Sequence, residues 1–401
     1  MSRINDLIKE LCPAGVEYLE LYKVVKWNKR FSGVDKKCQP EILNTNSDVS
    51  AQLLKTLVVD NGNIKLLSTG NFDGYTDDVT YTGIIDENEV ITIPSGGTAN
   101  IKYYNGRFIN SGNILGSSLD DEKYNLKYVY YCLTNKNELI QSFFRGSSVQ
   151  HPDMKQIIQI RIPIPPLEVQ EEIVRILDKF GELEAELEAE LEARRSQYEF
   201  WRGKLLNSGF ERVKLQDITC YSKDRISFDE LDEDNYVGVD NLLQNKMGKT
   251  KSTHVPTSGN STKFEIEDIL IGNIRPYLRK IWFADCSGGT NGDVLDIRVN
   301  NKEKVYPRFL YYVLSSEHFF EYNNSNSKGA KMPRGDKQAI MNYELTIPSL
   351  EEQQRIVNIL DKFDKLVNDI SVGLPAEIEA RRKQYEYYRN KLLSFEEVSC
   401  E

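Results

Sequence analysis

A chain of 401 residues, 40% hydrophobic and 28% charged, holds enough material for two or three domains with real cores, and it lacks any uncharged apolar run near the roughly 20 residues that span a bilayer. The opening MSRINDLIKELCPAGVEY has charges where a secretory signal needs an apolar stretch, and six scattered cysteines with three histidines offer neither a disulfide framework nor a zinc cluster, so a cytoplasmic protein with reduced thiols and no metal is expected. The formal charge of −10 is concentrated in Glu168–Ala193 and Glu351–Glu379, leaving the rest of the chain mildly basic and open to a nucleic-acid partner.

In chain order, the first region is a head of short β-rich runs, such as NEVITIP at Asn88–Pro94, separated by Gly, Asn and Ser. IPPLEVQEEIVRILDKF, Ile164 to Phe180, then opens a helix. Acids crowd its first turn, and Ile173, Ile176, Leu177, Phe180, Leu183, Leu187 and Leu191 recur at helical spacing. Three copies of ELEA, Glu182 to Ala193, use strong helix formers, so one unbroken rod from Glu168 to Asn207 is expected, about 60 Å long at about 1.5 Å per residue. A second head follows, with a strand at EDILIGNI, Glu267 to Ile274. The last helix region opens with IPSLEEQQRIVNILDKF, Ile347 to Phe363, and SVGLP, Ser371 to Pro375, should break or kink it.

The two helix regions are copies. The blocks ending in ILDKF share 12 of 17 positions without a gap, and EARRSQYEFWRGKLL, Glu192 to Leu206, shares 11 of 15 with EARRKQYEYYRNKLL, Glu379 to Leu393. The heads are related more weakly: YYCL at Tyr130 matches YYVL at Tyr311, and Gly146 and Asp153 fall opposite Gly329 and Asp336. The expected domains are a first head over 1–163, a first helical spacer over 164–207, a second head over 208–346 and a second helical region over 347–401.

As a set, the IPPLEVQ and IPSLEEQ head ends, the ILDKF helices, the EARR blocks and the tetrapeptide repeats make the whole chain resemble the specificity subunit of a type I restriction-modification enzyme. The resemblance implies an α+β fold: two mixed α/β target-recognition domains separated by two long antiparallel conserved helical regions, in a pseudo-twofold internal repeat. It implies that each head reads one half of a bipartite, asymmetric site in double-stranded DNA. It also implies that the helices dock two methyltransferase subunits, with restriction subunits joining through the complex. On this reading the ELEA count sets the separation of the half-sites. A structural coiled-coil adaptor without DNA specificity is the rival reading.

Within the heads, Lys246 to Lys280 carries seven basic against three acidic residues. It includes Lys249 and Lys251 and the run RPYLRK, with Arg275, Tyr277, Arg279 and Lys280. Lys328, Lys331, Arg334 and Lys337 form a further basic loop, with Asp336 among them. In the first head, PSGGTANIKYYNGR, Pro94 to Arg107, is expected as the corresponding loop after a strand, with Lys102, Asn105 and Arg107 as donors. Arg suits guanine and Asn suits adenine in the major groove, while Lys mostly holds phosphates; each of these positions can instead be ordinary basic surface. In the EARR blocks, Tyr198, Trp201, Tyr385 and Tyr388 are candidates for rod packing or a partner interface, and Arg202 and Arg389 for a partner interface or a solvated face. GKT at Gly248–Thr250 lacks the upstream glycine of a phosphate loop, and His151 near Asp153 reads as structural. No cofactor and no catalytic residue is expected.

Overall fold

The computed structural model describes residues 2–207, 211–369 and 372–398. Ser208, where the second head was expected to begin, Ser371 of the expected joint and Cys400 lie outside them. The chain divides into two compact units, Met1–Glu186 with Ile378–Glu401, and Leu187–Glu377.

The core of unit 1 is a six-stranded sheet in the order Val25–Trp27, Asn113–Ser118, Asp86–Pro94, Lys102–Asn110, Ile64–Leu67, Tyr75–Thr76. The apolar run Val90–Ile93 is buried on both faces, which places its strand at the centre of the sheet. Helix Leu126–Asn135, capped by the Asn125 side chain accepting from the Tyr128 backbone N–H, lays Val129 and Leu133 into the same core as Ile91 and Ile93. The four-stranded sheet of unit 2 follows the same plan as the first four strands of unit 1: Thr219–Tyr221, Val294–Val299, Ile269–Gly272, Ile281–Phe283. A second sheet, Arg225–Ser227, Asn260–Phe264, Gly288–Thr290 and Tyr236–Val237, is particular to unit 2.

The duplicated motifs hold head to helix. Gln170 is fully buried; its carbonyl accepts from the Asn125 N–H at 2.9 Å and its amide donates to Lys123 O and Pro165 O, both at 2.8 Å. Gln353 repeats this, accepting from the Tyr306 N–H at 2.8 Å and donating to Lys304 O and Pro348 O, both at 2.9 Å. The aspartates of the two ILDKF blocks each receive a tyrosine hydroxyl at 2.5 Å, Tyr131 on Asp178 and Tyr312 on Asp361. These buried groups are satisfied only when head and helix meet in one register, so the motif fixes the docking angle as well as adding burial. Apolar Val169, Ile173 and Leu177 form the matching helical stripe, each fully buried.

The long helix runs unbroken over Leu167–Leu206, forty residues, as its composition dictates. Its first part belongs to unit 1 and its last part, with the block EARRSQYEFWRGKLL, to unit 2. There Tyr198 and Leu206 are buried in the core with Leu345, Ile356 and Leu360. Unit 1 receives the other copy of the block, in helix Leu374–Leu392, whose end buries Leu392 with Leu393 beside Ile162 and Cys132. Within unit 1 this helix runs antiparallel to the start of the long helix: Phe180 meets Tyr388 and Tyr385 at 5.6 and 6.1 Å between ring centres, and Glu184 takes Arg382 at 2.6 Å. Each head is therefore packed by its own ILDKF helix and by the EARR block that follows the other head in sequence.

The closing residues of the chain complete unit 1. Val16 N–H donates to Glu396 O and Val398 N–H to Val16 O, and the Tyr18 hydroxyl donates to Phe395 O at 3.0 Å. In the second helical region, helix Leu350–Asn368 stops and Leu374–Leu392 begins with Pro375 in its first turn. A Cβ on Gly373 would lie 2.4 Å from Lys365 O, so glycine is required where the chain doubles against the end of the first helix. No described helix is long and apolar enough to cross a membrane. Among the described residues no group of three or more His, Cys, Asp or Glu is placed to hold a metal ion, and the five described cysteines are free thiols.

Candidate nucleic-acid interface

In each unit the central strand ends in a loop that is joined by backbone hydrogen bonds to the loop before a short helix near the head's end. In unit 2, Asn273 to Lys280 meets Lys328 to Asp336: Arg275 N–H donates to Pro333 O at 2.7 Å and Gly335 N–H to Asn273 O at 3.1 Å. In unit 1, Ser95 to Ile101 meets Gly146 to Asp153: Gly97 N–H donates to Gln150 O at 2.8 Å, the counterpart of the Arg275 bond. Pro152 stands where unit 2 has Gly335 and has no N–H to give; the ring Nδ1 of His151 lies 2.6 Å from Ser95 O instead. His151, read from sequence as structural, thus ties the two loops together.

The unit 2 junction brings together basic runs more than fifty residues apart in sequence. Arg275 and Arg279 both adopt left-handed backbone, φ 53° in each, on either side of the turn Pro276–Leu278. Such backbone costs about 1 to 3 kcal/mol per non-glycine residue and persists only where neighbours enforce it. The enforcement is visible: Asn245 N–H donates to Leu278 O, Lys246 N–H to Arg279 O, and the Arg279 guanidinium lies bidentate on the Glu317 carboxylate at 2.8 and 2.7 Å. Lys280 Nζ donates to Val239 O at 2.6 Å, and burial pushes its pKa down. Arg275 has an exposed side chain with no polar partner among the described residues, and Tyr277 beside it is 51% exposed. Lys331 is likewise exposed and unpaired, whereas Arg334 pairs with Asp293 at 3.0 Å and Lys328 with Asp336.

Gly335 sits at the centre of this junction, where a Cβ would come within 2.4 Å of Asn323 Oδ1 and 2.7 Å of Asn273 Oδ1. Lys249 and Lys251 are spent nearby. Lys249 Nζ donates to Asp234 O at 2.7 Å and lies 5.1 Å from the Trp282 ring centre, and Lys251 pairs with Glu233 at 2.6 Å.

In unit 1 the stretch Lys102–Arg107, expected as a loop, is the first part of strand Lys102–Asn110, paired antiparallel with Asp86–Pro94. The loop is Ser95–Ile101, with Gly96 and Gly97, and the Tyr-rich run after it has the β-propensity to continue the sheet, with Gly106 inside the strand. Lys102 Nζ donates to Ser68 O and Gly70 O at 2.7 and 2.5 Å, with its pKa lowered by burial. Arg107 is paired with Asp78, and Asn105 is exposed on the strand. Sequence reading passed over Glu317 and Asn323, which shape the unit 2 junction without being basic themselves; no local signal marks them.

A family model described as type I restriction modification DNA specificity domain matches residues 41–193 and 207–380, one match for each head with its following helix. The chain belongs to this type I specificity family. A type I restriction enzyme specificity subunit of Escherichia coli is 31% identical over 70% of this chain and 73% of its own length. A protein named as such a subunit in Haemophilus influenzae is 31% identical over 91% of this chain and 96% of its own. The crystal structure of a type I restriction-modification S subunit from M. genitalium superposes with a TM-score of 0.57 at 16% identity, covering 94% of this chain and 96% of that one, and so shares the fold. Sequence-specific DNA recognition within a restriction-modification complex is the work of this family.

The EARR blocks, expected as a partner interface or as rod packing, divide residue by residue. Tyr198 is 5% exposed, 6.3 Å from the Phe363 ring centre, and burial raises its pKa. Arg202 is 4% exposed and donates to Tyr312 O at 3.1 Å and Ser315 Oγ at 2.7 Å. Arg389 takes the equivalent place in unit 1, donating to Asn135 Oδ1 at 3.1 Å and lying over Tyr385, which with Tyr388 packs on Phe180. These five face their own heads and helices. Trp201 stays half-exposed, and its neighbour Phe200 and the matching Tyr387 are 64% and 61% exposed.

Proposed function

We propose that this chain is the non-catalytic, DNA-reading subunit of a type I restriction-modification complex, recognising a bipartite asymmetric site in double-stranded DNA, one half with each head. The observation that carries the reading is the loop junction, built twice by the same backbone bond at the same end of two equivalent strand cores, with divergent side chains on it. Equal scaffolds with unequal loops are what two different half-sites require. In the second head, Arg275 and Tyr277 with Lys331 are the reading and phosphate-holding side chains; Arg279, Lys280, Lys249 and Lys251 support them. Two methyltransferase subunits dock through the two EARR blocks, on the exposed faces of Phe200 with Trp201 and of Tyr387, and restriction subunits join through them. Catalysis belongs to those partners, and the chain works in the cytoplasm where they meet DNA.

The test is methylation-site sequencing of DNA from a host expressing this chain with its methyltransferase. A methylated motif of two fixed parts separated by unread positions, absent without this chain, is the expected result. Methylation that does not depend on the chain would instead favour the structural adaptor.

A further inference from the structure

We propose that the loop from Asn28 to Gln39 of the first head is a DNA-phosphate contact surface; this rests on the reading of the heads as DNA-binding and extends it to a segment that precedes the family-matched residues, which begin at 41. Its four cations, Lys29, Arg30, Lys36 and Lys37, are all exposed, and none has a carboxylate partner among the described residues. On strand Lys102–Asn110, Arg107 is neutralised by Asp78, and Lys102 is half-buried with its Nζ turned onto Ser68 O and Gly70 O. Lys55, Arg145 and Lys155 are also exposed without a carboxylate partner but stand singly, whereas four such cations lie within residues 29–37 of the loop.

The loop is built, not slack. Gln39, 4% exposed, accepts from Phe31 N–H at 2.9 Å through Oε1, donates to Lys29 O at 3.0 Å through Nε2, and offers its backbone carbonyl to the Arg30 guanidinium at 2.6 Å. The one acid inside the loop, Asp35, caps the turn Lys36–Cys38 by accepting from Lys37 N–H at 2.9 Å. At the root, Asn28 exchanges hydrogen bonds with Leu115, its N–H to Leu115 O at 2.9 Å and its Oδ1 from Leu115 N–H at 3.0 Å. A preordered cationic loop binds phosphates without a large ordering cost.

Register places it beside the reading junction. Strands Val25–Trp27 and Asp86–Pro94 both run antiparallel to Asn113–Ser118, with Trp27 and Ile91 opposite Gly116 and Pro94 opposite Asn113. Both strands therefore end at the same edge of the sheet, one leading into the cationic loop and the other into Ser95–Ile101. Duplex DNA is the partner that presents a row of anions alongside a read base edge. In the second head the residues after the equivalent strand Thr219–Tyr221 carry six acidic against two basic side chains through Asp234, so the device belongs to the first half-site alone.

The experiment compares the full chain in its methyltransferase complex with a variant carrying Lys29→Ala, Arg30→Ala, Lys36→Ala and Lys37→Ala. A charge-conserving variant, Lys29→Arg, Arg30→Lys, Lys36→Arg and Lys37→Arg, is the control. Binding is measured over a salt series on duplexes with and without the methylated motif. The alanine variant should bind both duplexes about tenfold or more weakly, with the slope of log affinity against log salt reduced by about 3, while the charge-conserving variant keeps the slope. An unchanged slope in the alanine variant overturns the proposal, as does weakening confined to the matched duplex or an equal loss in the charge-conserving variant. If the unsubstituted complex shows no salt-dependent DNA binding, the DNA reading of the heads falls, and this proposal with it.

Discussion

Arg279 holds Glu317 with both terminal nitrogens of its guanidinium, while the side chain of Arg275, four residues earlier in the same left-handed geometry, has no polar partner among the described residues. Two arginines that look alike in RPYLRK thus divide into one held by a carboxylate and one with an open side chain. Replacing Arg275 by Ala should leave the melting temperature unchanged and weaken binding to one half-site by about 1 to 3 kcal/mol, relaxing sequence choice there. Replacing Glu317 by Ala should weaken the same half-site with all basic residues still present, because the Arg279 backbone loses the contact that offsets its strain. The exposed ion pair itself is worth at most about 1 kcal/mol. Affinity lost equally at both half-sites would show that the loop only attracts DNA nonspecifically.

Arg202 and Phe200 are close neighbours on one helix and should behave as opposites. Arg202→Ala removes two hydrogen bonds in a buried site, leaving Tyr312 O with only the Ser315 hydroxyl, and should cost about 1 to 3 kcal/mol in chemical denaturation. Phe200→Ala and Tyr387→Ala remove exposed rings and should stay within about 0.5 kcal/mol. Co-purification should show the reverse order: each exposed ring removed costs one methyltransferase, and the double variant captures none.

Much of this was legible because helices announce themselves locally. The stripe Val169, Ile173, Leu177 and the ELEA run specify the long helix, and the exact register of Gln170 with Gln353 exposed the duplication before any contact was known. What the contacts add is the reason for that register, since each glutamine staples two backbone groups of the distant head to the proline carbonyl just before its own helix. Charge reading fared differently: Lys102, Arg107, Lys249 and Lys251 are basic in sequence but engaged in space, and only the fold reveals their partners Ser68, Asp78, Asp234 and Glu233. The exchange of EARR blocks between heads is likewise invisible to a linear reading, because the second block lies at the far end of the chain from the first head, which it packs.

Asp296 should make unit 2 sensitive to alkali. It is 3% exposed on strand Val294–Val299, neither carboxylate oxygen makes a hydrogen bond, and burial, followed by the neighbouring Asp268 carboxylate, pushes its pKa up to about 8. Arg298 opposes this shift, as does Ser222, but the Arg298 guanidinium is shared with Asp268 and Asp224. In the unfolded chain the same carboxyl ionises near pH 4. The folded state therefore holds a proton that the unfolded state releases, so stability falls as pH rises from about 4 to about 8 and levels off above. Asp296→Asn should remove that slope and stabilise unit 2 above pH 8, with little effect near pH 4. Thermal melts across pH 4 to 9 test it, and parallel curves for the two proteins would refute the buried neutral carboxyl.

The repeat ELEA occupies the stretch of the long helix where the chain passes from one unit to the other, Glu182 to Ala193 against a division after Glu186. Within it Glu184 pairs with Arg382 and Leu191 packs on the unit 2 core, and none of its residues is fully buried, so units can be added or removed without emptying a core. If helix length sets the separation of the half-sites, one unit fewer shortens the helix by about 6 Å and turns it by about 40° beyond a full turn. Duplex DNA rises about 3.4 Å per base pair and turns about 34°, so a spacer shorter by one or two base pairs absorbs most of both changes. The half-site sequences should stay fixed, because Arg275, Tyr277 and the Ser95–Ile101 loop are untouched. The measurement is the methylated motif of variants with two, three and four ELEA units. A spacer that does not change across the series would reduce the repeat to a solvated helix, and altered half-sites would mean that the repeat shapes the reading loops themselves.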